Sequence, residues 1–364
     1  MSKFVCPYCI SSYNLKKALY VCPDCGTTAT PVAMEREPIK CKSPGCGGLA
    51  TQRKCPNCDE NLPRIALQTP NLPFSIVGVS NSGKTNYITV MLHEMGRAPG
   101  LRLALGHQNT DTLNHQNENY KRIYEDHVPP ESTAGGERMP QIWYIKNLLK
   151  KKGNKVPTYT FTIFDGAGED HENSLDPSSA VCRYIQTSQA IIVTLDPLIL
   201  ENVRKRHIVD ENDMRNSLGG QAGGTKNAVD VVNSLANYIK TARGIDTRKL
   251  LNIPVAVVLT KFDTLKNAFG PNDLISRTSM NVRDGKISME EIQQVDEEIR
   301  NWLETIGERS FIDALESNFK EFLFFGVSSY GEPPQNAVKL SEHIKPHRVL
   351  DPILWLFKKA KFVD

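Results

Sequence analysis

Two sets of residues carry chemistry through their type and spacing. Eight of the nine cysteines lie between Cys6 and Cys58, as the pairs Cys6/Cys9, Cys22/Cys25, Cys41/Cys46 and Cys55/Cys58, while Cys182 stands apart and reads most simply as a buried thiol. A Cys-x-x-Cys turn places two sulfurs on one side of a tight bend, and two such turns supply the four tetrahedral positions that zinc prefers. The simplest assignment joins neighbours in the chain, Cys6/Cys9 with Cys22/Cys25 and Cys41/Cys46 with Cys55/Cys58. Four protein ligands leave no open position for a catalytic water, so the expected Zn²⁺ ions, two in number, are structural. The second set is Gly78-Val-Ser80-Asn81-Ser82-Gly83-Lys84-Thr85, between the apolar run Phe74–Gly78 and a helically spaced stretch reaching Met95. Gly78 and Gly83 let the backbone wrap closely, so that amides of Ser80, Asn81 and Ser82 cradle phosphate oxygens at a helix N-terminus. Lys84 would neutralise phosphate charge, and the Thr85 hydroxyl would face Mg²⁺.

Two later motifs narrow the ligand. Asp165-Gly-Ala-Gly168 ends the apolar strand Thr158–Phe164, where the acid can hold Mg²⁺ and the Gly168 amide can reach a γ-phosphate. The run Ile253–Leu259 leads into Thr260-Lys261-Phe262-Asp263, and a carboxylate at Asp263 can accept both the N1–H and the 2-amino group of guanine. Adenine offers a lone pair at N1 and no 2-amino donor, so the fit selects guanine. Lys261 would lay its stem along the base, and the strand Glu321–Val327 would deliver the amides of Ser328 and Ser329 to the guanine O6.

With these motifs in this order, residues 74–364 resemble the Ras-like, translation-factor-related (TRAFAC) class of P-loop GTPases. The hairpin of Gln141–Leu148 and Pro157–Phe164 is similar to the antiparallel second strand of that class. The segment Leu101–Leu105, the helical stretch to Tyr124, the Val128–Thr133 loop and the terminal Leu350–Trp355 helix resemble the double-GTPase families of bacterial signalling and conflict operons. The resemblance implies GTP/GDP and Mg²⁺ as ligands, GTP hydrolysis as the activity, and two switch loops. Thr133 takes the place of the first-switch threonine, with a turn threonine as the competing reading, and Thr110 and Thr112 are less well placed. The second switch would begin at Gly168-Glu169, where Ras-like enzymes carry a water-orienting glutamine after the glycine; Glu169 is repelled by a γ-phosphate unless a cation intervenes. Asn81 matches the loop of potassium-activated GTPases, implying K⁺ between the phosphates; the alternative is an asparagine bonded to its own backbone. Glu169 also supports a rival reading, a non-hydrolysing nucleotide-bound scaffold.

The elements that must position these residues fall into two modules. The chain has 364 residues and a formal charge of +3, near ordinary globular composition and too balanced for a polyanion binder. Residues 1–62 are expected to form tandem zinc ribbons, 63–73 a proline-rich extended linker, and 74–364 a three-layer α/β/α P-loop domain with a mostly parallel sheet. The first 64 residues carry nine Lys/Arg and five Asp/Glu, so two Zn(Cys)₄ centres bring the module to about zero charge. That points to a protein partner, a second GTPase or a second copy of the chain, and away from nucleic acid. No apolar stretch suits a membrane span or a signal core, and a cytoplasmic location is expected. The lysine-rich turn Lys146–Lys155 reads as solvated. Ser217–Thr225 reads as a flexible loop before a helix near Lys226, Phe269–Met280 as another loop, and Ser288 with Glu291 as a capping box opening a helix to Ile306.

Overall fold

The computed structural model describes residues 4–29, 39–78, 81–98, 100–131, 140–165, 180–206, 208–209, 227–265, 267–335 and 339–363. Its centre is a seven-stranded sheet. The strands are β1 (Asn71–Gly78), β2 (Leu103–His107), β3 (Gln141–Asn147), β4 (Thr158–Asp165), β5 (Ala190–Leu195), β6 (Val255–Leu259) and β7 (Phe322–Gly326), and their order across the sheet is β7-β6-β5-β1-β4-β3-β2. Strands β7, β6, β5, β1 and β4 run parallel, β3 is antiparallel to β4, and β2 is antiparallel to β3.

Both faces of this sheet are covered, which the strand sequences require. In Val255-Ala-Val-Val-Leu259 every side chain is buried; the first, third and fifth join one core cluster and the second and fourth the other. Such period-two division is how a doubly covered parallel strand spends a continuous apolar run. One layer is α1 (Lys84–Arg97), α2 (Thr110–Tyr124) and α7 (Asp351–Lys359). The other is α3 (Ala180–Thr187), α4 (Ala228–Arg243), α5 (Met289–Ile306) and α6 (Arg309–Glu316). The three-layer α/β/α expectation therefore holds, as does the hairpin of Gln141–Asn147 with Thr158–Asp165. The helix expected near Lys226 begins at Ala228, capped by the Asn227 side chain on the Asp230 amide at 2.8 Å. The Ser217–Thr225 loop lies outside the described residues. Among the described residues no helix is long and apolar enough to cross a membrane.

Two local expectations are corrected. Pro63–Pro73 is not an extended connector: Arg64–Gln68 is helical with Ala66 buried, and Asn71, Leu72 and Pro73 already belong to buried β1. The Thr69 hydroxyl meets that of Thr160 at 2.8 Å, so the segment is packed on β4. Nor do Ser288 and Glu291 close a capping box. Ser288 occupies the cap position without a side-chain bond, and Glu291 accepts instead from the Met280 amide and the buried Arg348 guanidinium, both at 3.0 Å. The Ser288 amide, which a capping glutamate would serve, already donates to the Asn281 carbonyl at 2.7 Å, leaving Glu291 to the charged Arg348 donor.

The N-terminal module is built from very short strands. Leu19–Val21 pairs antiparallel with both Thr28–Ala29 and Gln52–Lys54, and two further hairpins join Phe4–Val5 to Ser12–Tyr13 and Ile39–Lys40 to Leu49–Ala50. Its own buried apolar clusters are small, which is the expected state of a metal-dependent fold.

Candidate nucleotide site and metal centres

Strand β1 ends at Gly78 and α1 starts at Lys84, so the glycine-rich loop joins a central strand to a helix N-terminus. Gly78 has no room for a side chain. A Cβ there would lie 2.3 Å from the Thr194 hydroxyl oxygen and 2.4 Å from the Thr194 carbonyl. Thr194 donates to the Val77 carbonyl at 3.2 Å, and the wholly buried Ser82 hydroxyl meets Thr194 at 3.0 Å, closing the floor of the loop. Gly83 takes the left-handed conformation with φ +74°. Asn81 takes it too, with φ +61°, and is exposed. Whereas α2 and α4 each carry an asparagine side-chain cap, the cap position of α1 is Gly83, which has no side chain to offer. The N-terminal end of a helix carries partial positive charge, which suits an anionic ligand. Lys84 is buried, and its ammonium donates to the Gly78 carbonyl at 3.0 Å, arching back over the loop. Thr85 lies half-buried in the first turn of the same helix. Asp165 ends β4 in register with Ile76, at the same edge of the sheet as Gly78.

The Thr260–Asp263 motif reaches this loop through Thr260. Its buried hydroxyl lies 2.8 Å from the Ser82 carbonyl and 3.0 Å from that of Leu195, so its single proton ties the loop to the ends of β5 and β6. Lys261 follows in the left-handed region, φ +51°, and its ammonium pairs with the Asp196 carboxylate at 2.6 Å. Asp263 sits half-buried in the short helical turn Phe262–Leu265. The Phe262 amide donates to the Val327 carbonyl at 3.0 Å, which brings the end of β7 alongside. There Ser328 is buried and accepts from the Gly331 amide at 2.8 Å, while Ser329 is half-buried. Burial and the charge of Asp263 hold the Tyr330 phenol above its ordinary range.

The cysteines form two closed four-thiol clusters, and their pairing corrects the serial assignment. Cys6, Cys9, Cys55 and Cys58 lie together, and Cys22, Cys25, Cys41 and Cys46 form the other cluster, with all sulfurs of a cluster within 4.8 Å of one another. The cause is the antiparallel ladder of Leu19–Val21 with Gln52–Lys54. Leu19 faces Lys54 and Val21 faces Gln52, so Cys55 sits at the end nearer the first knuckle and Cys22 at the other end. Nested pairing follows. Sulfur separations of 3.9 and 3.7 Å in the outer cluster, and 3.8 and 3.5 Å in the inner, fit the edge of about 3.8 Å set by four Zn–S bonds of about 2.3 Å. Each set of residues therefore fits one zinc ion. In the outer cluster the bond between the two thiols pulls Cys9 down to about 4 and pushes Cys6 up. In the inner cluster the Thr27 hydroxyl pulls Cys25 down to about 6.

Thus Gly78, Asn81, Ser82, Gly83, Lys84, Thr85, Thr260, Lys261, Asp263, Ser328 and Ser329 come to the carboxyl edge of the parallel strands, the edge where open α/β sheets bind ligands. Ser80, Thr133, Gly168 and Glu169 lie outside the described residues, as do the side chains of Asp165 and Cys182. Thr112 is committed elsewhere: it is buried, and its hydroxyl accepts from the Ile142 amide at 3.0 Å. The sequence reading missed Thr194, Asp196 and His347. The first two carry a legible signal, being polar residues where an apolar strand reaches its carboxyl end; His347, on a distant loop, carries none.

The profile of the family described as Double-GTPase 2 matches residues 73–342. No curated protein matches. Among solved structures, the S. cerevisiae Ski7 GTPase-like domain bound to GTP is 12% identical with a TM-score of 0.37, over 81% of this chain and 50% of that one. This chain thus spans half the length of that relative. The Arl6 BBS3 small GTPase from Trypanosoma brucei, with a bound nucleotide analogue, is 13% identical with a TM-score of 0.27, over 81% of this chain and 99% of that one. A sup35 structure complexed with GDP is 11% identical with a TM-score of 0.25, over 74% and 39% of the two chains. On the profile match, which covers well over half of its length, the chain belongs to the Double-GTPase 2 family, with a TRAFAC-class P-loop domain preceded by two four-cysteine clusters.

Proposed function

We propose that the protein binds GTP and hydrolyses it as a molecular switch, and that its zinc module presents the nucleotide state to a protein partner in the cytoplasm. The observation that carries this reading is the buried Lys84 ammonium, held 3.0 Å from the Gly78 carbonyl at a helix N-terminus that follows a central strand, with Thr260 joining that loop to the turn that carries Asp263. In this reading the loop amides and Lys84 hold the β- and γ-phosphates, and Asp263 accepts the guanine N1–H and 2-amino protons. Thr85 and Asp165 would hold Mg²⁺, which supplies neutralisation of phosphate charge. Water attacks the γ-phosphorus, the bond to the β–γ bridging oxygen breaks, and Lys84 stabilises the charge spreading onto the leaving GDP. Residues of both switches, Thr133 and Gly168-Glu169 among them, would then relax, and a partner of the zinc module would sense the change. That partner is a second GTPase or another copy of the chain, in a bacterial signalling or conflict system.

Single-turnover assay of the purified protein tests the reading: GDP formation in wild type, abolished in Lys84→Ala, supports it. Tight GTP retention without turnover would favour the non-hydrolysing scaffold to which Glu169 lends support. K⁺ at Asn81 is part of the same proposal. Hydrolysis should be faster in KCl than in NaCl at equal ionic strength, and equal rates would remove the ion from it.

A further inference from the structure

Asp196 stands one residue beyond β5, at the carboxyl edge of the sheet between the phosphate loop and the base-reading turn. One of its carboxylate oxygens accepts from the Leu198 amide at 2.9 Å and the other lies 2.6 Å from the Lys261 ammonium. The pair is partly withdrawn from water, with side-chain exposures of 13% for Asp196 and 29% for Lys261. Such a pair is screened less than a surface pair, and one oxygen of Asp196 is already oriented by a backbone donor.

The lysine is held at both ends. Its carbonyl accepts from the Thr264 amide at 2.9 Å and from the Thr264 hydroxyl at 2.8 Å, in a left-handed conformation that a lysine rarely takes. Its ammonium is fixed by Asp196. What remains between the anchors is the four-carbon stem, next to the turn that carries Asp263. An unanchored lysine stem would lose its rotamer freedom only when a ligand arrived, at the expense of affinity.

We propose that Asp196 is a positioning residue of the guanine-nucleotide site: by clamping the Lys261 ammonium it pre-forms the aliphatic wall against which the purine lies. The inference rests on the reading that Asp263 and Lys261 receive the base. It also separates two roles: Asp263 reads the edge of the base, and the clamped lysine covers its face. Losing the clamp should therefore weaken every purine that Asp263 accepts by a similar factor, without changing the preference among them.

The test measures GDP and IDP affinity by titration of wild type, Asp196→Asn, Asp196→Glu, Lys261→Met and the Asp196→Asn/Lys261→Met double variant, with thermal melting of each. Asparagine keeps an oxygen for the Leu198 amide and loses only the charge. Asp196→Asn is expected to weaken GDP and IDP alike, by about tenfold, at an unchanged melting temperature. Asp196→Glu should recover most of that loss, and the double variant should bind no worse than Lys261→Met alone. GDP affinity within twofold of wild type in Asp196→Asn, or losses that add in the double variant, would overturn the proposal. A changed GDP-to-IDP ratio would overturn it too, by making Asp196 part of base-edge reading. If folded wild type bound neither nucleotide, the guanine reading itself would fall, and this inference with it.

Discussion

The Tyr184 hydroxyl donates to the Pro7 carbonyl at 3.2 Å, across 177 positions of sequence. It also meets the Tyr8 carbonyl, so one phenol holds two peptide groups of the first Cys-x-x-Cys knuckle. Tyr184 is buried on α3 and stacks on Phe164, the residue before Asp165, with ring centroids 4.4 Å apart. Ile10, just after Cys9, is only 1% exposed and joins the main core of the P-loop domain. The outer cysteine cluster is therefore docked against the helix that follows the expected second switch. Tyr184→Phe should keep the ring stack and lose the phenol bonds, lowering stability by about 1–2 kcal/mol. A chelator with a chromogenic readout should then remove one of two zinc ions faster than in wild type and leave the other unaffected. Unchanged release of both ions would show that the hydroxyl does not brace the knuckle.

Nested pairing makes a stoichiometric prediction that serial pairing does not share. Replacing Cys6 and Cys58 together by serine removes two ligands from one cluster, so one zinc ion per chain should remain. Replacing Cys6 and Cys22 removes one ligand from each cluster, and both ions should be lost or greatly weakened. Serial pairing reverses these two outcomes. Metal content of the purified variants by atomic emission decides between them.

How far the sequence could be read depends on the range of the interactions. The strand–loop–helix passage from Phe74 to Met95 was legible because all its constraints are local: a strand, left-handed turns and a helix start within about a dozen residues. The order of motifs along the chain likewise implied the parallel sheet with Asp165, Thr260 and Ser328 at strand ends. Cysteine pairing was not legible, since it depends on which strand lies beside Leu19–Val21, and every Cys-x-x-Cys turn looks alike in sequence. Packing also claimed residues that local rules assigned elsewhere, as when Arg348 drew Glu291 away from Ser288. Asp196 looked like an ordinary strand end because its partner, Lys261, lies 65 positions away.

Gly78→Ala tests whether the close approach of the loop to Thr194 is obligatory. The added methyl group would meet both the hydroxyl and the carbonyl of Thr194 well inside contact distance. Relief by backbone movement would shift the loop away from β5 and loosen the Ser82–Thr194 bond. A loss of about 1–3 kcal/mol is expected from overpacking, together with loss of nucleotide binding. Thr194→Ala should not rescue it, because the carbonyl clash remains after the hydroxyl is gone. Calorimetry with GDP on the single and double variants checks this, and restored binding in the double variant would place the obstruction at the hydroxyl alone.

His347 should make the end of the site around Phe262 and Ser328 sensitive to acid. Its ring stacks on Phe262 with centroids 5.7 Å apart and bonds through Nε2 to the Ile275 carbonyl at 2.7 Å. Its backbone exchanges hydrogen bonds with Ser328, at 2.8 and 3.1 Å. Burial, reinforced by the neighbouring Arg348 and partly offset by the Ile275 carbonyl and Asp351, moves the imidazole below its ordinary 6.5. Between that lowered value and 6.5 the unfolded chain binds more protons than the folded one, so stability rises with pH in this window and is lost as pH falls below 6.5. The slope from this one group is at most about 1.4 kcal/mol per pH unit. His347→Gln keeps a side-chain N–H donor and removes the titration. Between pH 7.5 and 5.5 its stability, from urea unfolding, should therefore fall less than that of wild type. GDP affinity should follow the same difference, because protonating the imidazole sets a positive charge against the Phe262 ring and the bridge that holds Ser328. Parallel pH profiles for the two proteins would rule out His347 as the titrating group.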